Sequence, residues 1–127
     1  MKKIIFGLLL FSTSFLFAQS TIDCSKLHHA KLKFITKDGQ PDFVVIDGNN
    51  HLEYQKEDGP YIKSQLKWES DCEYTAKIIE ITFTDGAFKP GDKLNCKIVK
   101  IEGNIVSMIA TFNGKKFEFN YEIVEYF

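Results

Sequence analysis

The sequence predicts an all-β fold, an antiparallel up-and-down meander of about eight strands that closes or nearly closes into one small barrel. Three observations predict it. Polar turn clusters recur at short intervals: KDGQP (37–41), DGNN (47–50), KEDGP (56–60), TDGAFKPGD (84–92), EGN (102–104) and NG (113–114). Between them lie β-branched and aromatic runs of strand length, and after the first twenty residues there is no ten-residue amphipathic helical pattern. Short links of this kind join antiparallel neighbours, whereas parallel strands need long crossovers.

The first element is not part of the barrel. Lys2 and Lys3 precede an apolar run interrupted by small hydroxyl residues and ending at Ala18, the pattern of a secretory signal peptide over 1–18. It is too interrupted for a membrane anchor, which needs about 20 consecutive apolar residues. Asp23 directly before Cys24 is not the small residue that a lipid-attachment site wants. Cleavage leaves a single domain over 19–127, enough for one core. It carries 14 lysines against 17 acids and no arginine. An acidic, arginine-free chain argues against nucleic acid as a partner.

Strands are expected at 30–36, 42–47, 51–56, 60–69, 72–83, 92–102, 104–112 and 116–126, each to within about 2–4 residues. The last is the clearest, because Phe117, Phe119, Tyr121 and Ile123 alternate with Glu118, Asn120 and Glu122. Asn113-Gly114 ahead of it suits a type I′ hairpin turn. In the fourth run Ile62, Ser64, Leu66 and Trp68 share one face, so Trp68 points inward. The fifth run is out of phase with itself, and a β-bulge at Ile78 and Ile79 would reconcile its halves. Without one, the strand carries an outward apolar patch that would mark a contact surface; a filled barrel that docks on a protein would show such a patch around Val44, Ile46, Ile79 and Ile81.

Three cysteines in an exported chain allow one bridge. Cys24 and Cys72 fall at the same end of a meander. Cys96 lies inside the sixth run, where an in-phase hairpin puts it opposite Ile79, about seven residues from Cys72 and out of reach. The expected disulfide is therefore Cys24 to Cys72, with Cys96 a buried thiol; a bridge between two molecules through Cys96 is the alternative.

Candidate chemistry is sparse. Cys24, His28 and His29 resemble metal ligands, but His51 is the only further histidine and a closed zinc site wants four ligands, so no metal or other cofactor is expected. Ser64 and Cys96 lack a nucleophile motif, and the acids Glu69, Asp71 and Glu73 read as turn and rim residues. No enzyme activity is expected. Inward aromatics Phe34, Tyr54, Trp68, Tyr74, Phe117, Phe119 and Tyr121 either line a ligand cavity or fill the core.

Cys24, the stretch S-x-L-x-W-x-x-x-C-E-Y (Ser64, Leu66, Trp68, Cys72, Glu73, Tyr74) and the strand P-G-x-x-L-x-x-K-I (Pro90, Gly91, Leu94, Lys97, Ile98) resemble a group of small secreted proteins of unknown function. These are found mainly in Bacteroidetes-type bacteria and are sometimes mislabelled as topoisomerase subunits. The resemblance covers most of the mature chain and implies no activity, ligand or catalytic residue. Ala30 stands where the group often has glycine, and Cys96 is an addition.

Together these readings describe a calycin-like barrel, periplasmic or secreted, without a membrane span after cleavage. Its expected role is non-enzymatic binding of a small apolar ligand; the alternative is a filled barrel that docks on an envelope or secreted protein. Export predicts that mature protein begins at Gln19, which N-terminal sequencing of secreted material would check; an intact leader or a lipidated Cys24 would overturn it.

Overall fold

The computed structural model describes residues 22–35, 42–83, 86 and 88–127. The leader, the turn cluster at 37–41 and the expected strand end at 36 lie outside the described residues. A 3₁₀ turn, Ser25–His28, precedes eight strands: β1 His29–Phe34, β2 Phe43–Asp47, β3 Asn50–Tyr54, β4 Tyr61–Ser70, β5 Glu73–Ile81, β6 Lys93–Glu102, β7 Ile105–Phe112 and β8 Lys115–Tyr126. Every strand pairs antiparallel with its sequence neighbours, and β1 pairs with β8 to close the barrel. Closure leaves no edge strand exposed.

Each expected strand is present, with starts shifted by a single residue. The β7–β8 turn uses positive φ at both Asn113 (52°) and Gly114 (79°), which the type I′ geometry demands. The bulge expected in β5 is real: Lys63 pairs with Glu80 and Ser64 with Ile78, so Ile79 is the extra residue and points out. Similar shifts place Val99 and Val124 as extra residues in β6 and β8. Each bulge bends its strand and raises the local twist, which is how a short sheet curls shut.

The core is a single cluster inside the barrel. Ala30, Leu32, Val44, Ile46, Leu66, Tyr74, Ile98, Val106 and Met108 are buried. Lys33, Asp47, Lys63, Gln65, Lys67, Lys77, Glu80, Lys97, Glu118 and Glu122 are exposed on the outside. Inner and outer residues alternate along the strands, as a barrel standing in water requires.

One expectation fails as a unit. Val44 and Ile46, which the docking alternative puts outside, are 3% and 0% exposed. They pair across the β2–β3 hairpin with Glu53 and His51. The faces of this hairpin are thus inverted from the reading that turned Tyr54 inward; Tyr54 lies on the outer wall, 5.6 Å from Phe43. The outward patch around Val44 and Ile46 does not exist. Leu52 and Tyr54 are the more apolar pair in β3, so hydropathy points them inward. The register of the tight turn after Asp47 decides otherwise.

One end of the barrel is sealed. Leu27 of the 3₁₀ turn is 1% exposed, and Cys24 is disulfide-bonded to Cys72 with Cα atoms 5.3 Å apart. His28 stacks on Trp68 at 3.6 Å between ring centroids, and its Nε2 lies 2.8 Å from the Asp71 carbonyl. The Trp68 indole N–H donates to the Gly48 carbonyl at 2.9 Å, and Tyr74 meets the indole edge-on at 5.0 Å.

The pairing of cysteines is as expected, but its stated reason changes. Cys96 stands opposite Tyr74, not Ile79, because β6 enters pairing only at Lys93 against Lys77. Cys96 is the free cysteine. Its side chain faces the barrel interior with Tyr74, whereas Cys72 lies in the end turn facing the N-terminal segment. Removing the bridge with Cys72→Ser should lower unfolding free energy by about 3–4 kcal/mol, the chain-entropy value for a loop of this length. Chemical denaturation checks this, and a loss no larger than that of Cys96→Ala would refute it.

Candidate functional site

The half of the barrel away from the sealed end holds a partly enclosed cavity of about 170 Å³. It exists because four neighbouring strands contribute small inward side chains: Ser64 from β4, Ala76 from β5, Cys96 from β6 and Ala110 from β7. The rest of the wall includes Phe34 from β1, His51 and Glu53 from β3, and Phe119 and Tyr121 from β8. The aromatic wall is self-supporting. Phe34 meets Phe119 edge-on at 5.4 Å and Tyr121 at 5.5 Å, favourable separations for ring pairs.

Of the seven expected lining aromatics, Phe34, Tyr74, Phe119 and Tyr121 line this cavity. Phe117 continues the same face but is 46% exposed beyond it, 6.4 Å from Phe119. Trp68 is the plug under Tyr74, outside the cavity wall, and Tyr54 lies on the outer face. The acids Glu69 and Asp71 are exposed near the sealed end, where Glu69 accepts a hydrogen bond from the Thr75 hydroxyl at 3.2 Å. Glu73 accepts one from Asn95 at 2.9 Å.

The polar groups that do face the interior were missed. Glu53 lines both the main cavity and an adjoining one of about 220 Å³, whose wall also includes Asp42, Gln55, Ile81 and Phe83. Asp42 precedes β2, its carbonyl accepting the Phe34 N–H at 2.7 Å. Among the described residues its Oδ1 is buried without a hydrogen-bond partner, and so is His51 Nδ1. Each such atom costs about 1–3 kcal/mol, so one in each of the two cavities that Glu53 joins marks a space prepared for something to bind. The readable signal was the hairpin: a two-residue turn after Asp47 puts His51 opposite Ile46 and Glu53 opposite Val44, whichever face is buried.

Burial in the main cavity shifts Glu53, His51, Cys96, Tyr74 and Tyr121 toward their neutral forms. It pushes Glu53 up to about 7, with the Asp42 charge adding to the effect, and pushes His51 down to about 4. Cys96 rises to about 11, burial outweighing a hydrogen bond with the Tyr74 hydroxyl that acts the other way. Burial likewise raises Tyr74 and Tyr121. A thiol so raised is a poor nucleophile at neutral pH. Ser64 pairs with His51 across β3 and β4. His51 Nδ1, however, has no acid partner to orient it, so the ring is not held as a catalytic base would be. Among the described residues no group of three or more His, Cys, Asp or Glu is placed to hold a metal ion.

Two depressions on the outer face of β2 to β4, about 500 and 390 Å³, exceed the cavity in volume. They are shallow surface features bordered by Val45, Leu52 and Tyr61. Fold and site together define a small closed β-barrel with a largely apolar inner cavity that holds a few polar groups. Comparison of the chain with protein-family models, curated proteins and solved structures finds no match.

The two large shifts act on stability with opposite signs. Glu53 holds its proton more tightly when folded, so its contribution is full below pH 4.5 and is lost as pH rises to about 7. His51 resists protonation when folded, so its contribution is present above pH 6.5 and is lost as pH falls to about 4. Each is worth about 3 kcal/mol across its window, and between pH 4.5 and 6.5 they oppose each other. Relative to wild type, Glu53→Gln should gain stability with rising pH over that range and His51→Leu should lose it. Denaturation curves at several pH values check this; parallel profiles for all three proteins would exclude it.

Proposed function

We propose that this protein is an exported, non-enzymatic binding barrel whose interior takes a small, largely apolar ligand. The observation that carries the reading is the cavity itself. Apolar walls from Phe34, Ile62, Ile78, Phe88, Met108 and Phe119 surround a few polar groups, of which His51 Nδ1 has no partner among the described residues. That is the usual composition of a small-molecule site, apolar for affinity with a few polar groups for orientation. A cavity of about 150 Å³ suffices for benzene, while drug-sized ligands fill about 300–1,000 Å³. The size therefore favours a ligand of about one ring over a lipid chain.

Export is supported by the leader pattern and by the Cys24–Cys72 disulfide, a bond that persists in oxidising compartments such as the periplasm or the extracellular space. Membership in the secreted group that the W-x-x-x-C-E-Y core resembles is proposed on the same basis. The docking alternative retains one supporting observation, the partly exposed Phe43, Val45, Leu52, Tyr54 and Tyr61 on the outer wall.

The test is occupancy. Titration with benzene, followed by NMR, should shift the methyl signals of Met108, Ile62 and Ile78 while leaving Ile46 and Val106 near the sealed end unmoved. Ala110→Phe, which places a ring in the cavity, should abolish the shifts. Shifts confined to the outer wall, or a wild-type protein that ignores the probe, would overturn the reading.

A further inference from the structure

The interior charge is one-sided. Among the described residues no lysine lines either inner cavity, the chain has no arginine, and burial keeps His51 uncharged at neutral pH. What remains is acid, Glu53 on β3 and Asp42 just ahead of β2, neighbours on one inner wall. A buried carboxylate without a cation is strongly disfavoured.

Three kinds of partner would relieve it. A proton does so at low pH. A metal ion needs a converging donor set, and the described residues provide none. An organic cation needs an acceptor cluster beside an apolar wall, which is the arrangement present.

We propose that the ligand is a small amine, its ammonium group seated between Glu53 and Asp42 and its single-ring or branched apolar body lying against Phe34, Ile62 and Phe119. The proposal rests on the reading of the barrel as a small-ligand binder and specifies its ligand class. An ammonium donates hydrogen bonds, and Glu53 and Asp42 line one cavity together, where Asp42 Oδ1 has no partner among the described residues, while Glu53 also reaches the apolar main cavity. Hydrogen bonds between ionised partners are about twice as strong as neutral ones. The ring faces of Phe34, Phe119 and Tyr121 add attraction for a desolvated cation. An anionic ligand meets repulsion from both acids, and a neutral one leaves them unpaired.

Binding is coupled to protons. Below about pH 7 Glu53 is protonated and must release its proton to bulk solvent as the ammonium enters. The other groups facing it are Asp42 ahead of β2, His51 on its own strand, Tyr74 on β5, Cys96 on β6 and Tyr121 on β8. Burial keeps His51, Cys96 and both tyrosines in their neutral forms between pH 5.5 and 8, so Glu53 sets the response.

Benzylamine, benzyl alcohol and benzoate are matched probes for calorimetric titration of the full mature domain. At pH 8 benzylamine should bind about 10-fold or more tighter than benzyl alcohol, the effect of a charge-assisted bond, with benzoate weakest. At pH 5.5 benzylamine should weaken by about 30-fold and release close to one proton per molecule bound, read from the dependence of heat on buffer. Glu53→Gln should erase the preference for the amine and its pH dependence while benzyl alcohol still binds. The wild-type pH series stands even if that variant folds poorly.

Benzyl alcohol binding as tightly as benzylamine, or an amine preference unchanged in Glu53→Gln, would overturn the amine assignment and leave the binding barrel intact. Failure of all three probes together with benzene would overturn both.

Discussion

Closure of β1 on β8 is the constraint on which the rest of the structure depends. Once the sheet has no edge, each strand's inner face is cut off from bulk water, and every inward side chain must be apolar, paired or neutral. Most positions comply: Leu32, Ile46, Ile98 and Val106 are almost completely buried. The bulges at Ile79, Val99 and Val124 serve the same end. Each lets a strand bend without pushing a charged residue inside, by turning one extra apolar residue outward. An exposed isoleucine at 44% is the lesser penalty beside a buried lysine.

Against that background β3 is an exception. A wall of leucine and tyrosine was available by a one-residue shift, yet the chain turns His51 and Glu53 toward the cavity and Leu52 and Tyr54 to the outer face. The inward polar pair shares the cavity with small side chains: Ser64, Ala76, Cys96 and Ala110. Small residues opposite polar ones lose packing and leave polar atoms unsatisfied at once, two separate penalties to stability. Departures from local consistency that lack a structural compensation are expected where function sits. The coincidence of both penalties in one layer argues that the space, and not the strand, is what the sequence specifies.

The strands were legible because their signals are local. Turn residues with positive φ and alternating aromatics mark boundaries without reference to the rest of the fold, which is why Asn113-Gly114 and the β8 alternation were reliable. The disulfide was legible from topology alone, since it needs only the end of the barrel at which each cysteine falls. Face assignment was secure in β4, where lysines alternate with Ile62, Leu66 and Trp68, and failed in β2, where Phe43, Val44, Val45 and Ile46 are all apolar. That uncertainty passed across the hairpin to β3 and hid Glu53, His51 and Asp42. A strand without contrast takes its orientation from its neighbours, so here the site residues could be read only from three-dimensional register.

The two ends of the barrel divide its tasks. At the sealed end a covalent bridge, a stacked His28–Trp68 pair and the indole hydrogen bond to Gly48 fix a floor on which Tyr74 rests. Tyr74 is also part of the cavity wall and lies 6.0 Å from the ring of His51. The floor is therefore held by contacts independent of whatever occupies the space above it. A binding site gains from such an arrangement, because walls already fixed lose little conformational freedom when a ligand arrives. The conspicuous stretch from Lys67 to Tyr74 owes its tryptophan, its cysteine and its tyrosine to this role. Its acids belong to the exposed rim, while the acids that face the interior lie on an unremarkable hairpin upstream.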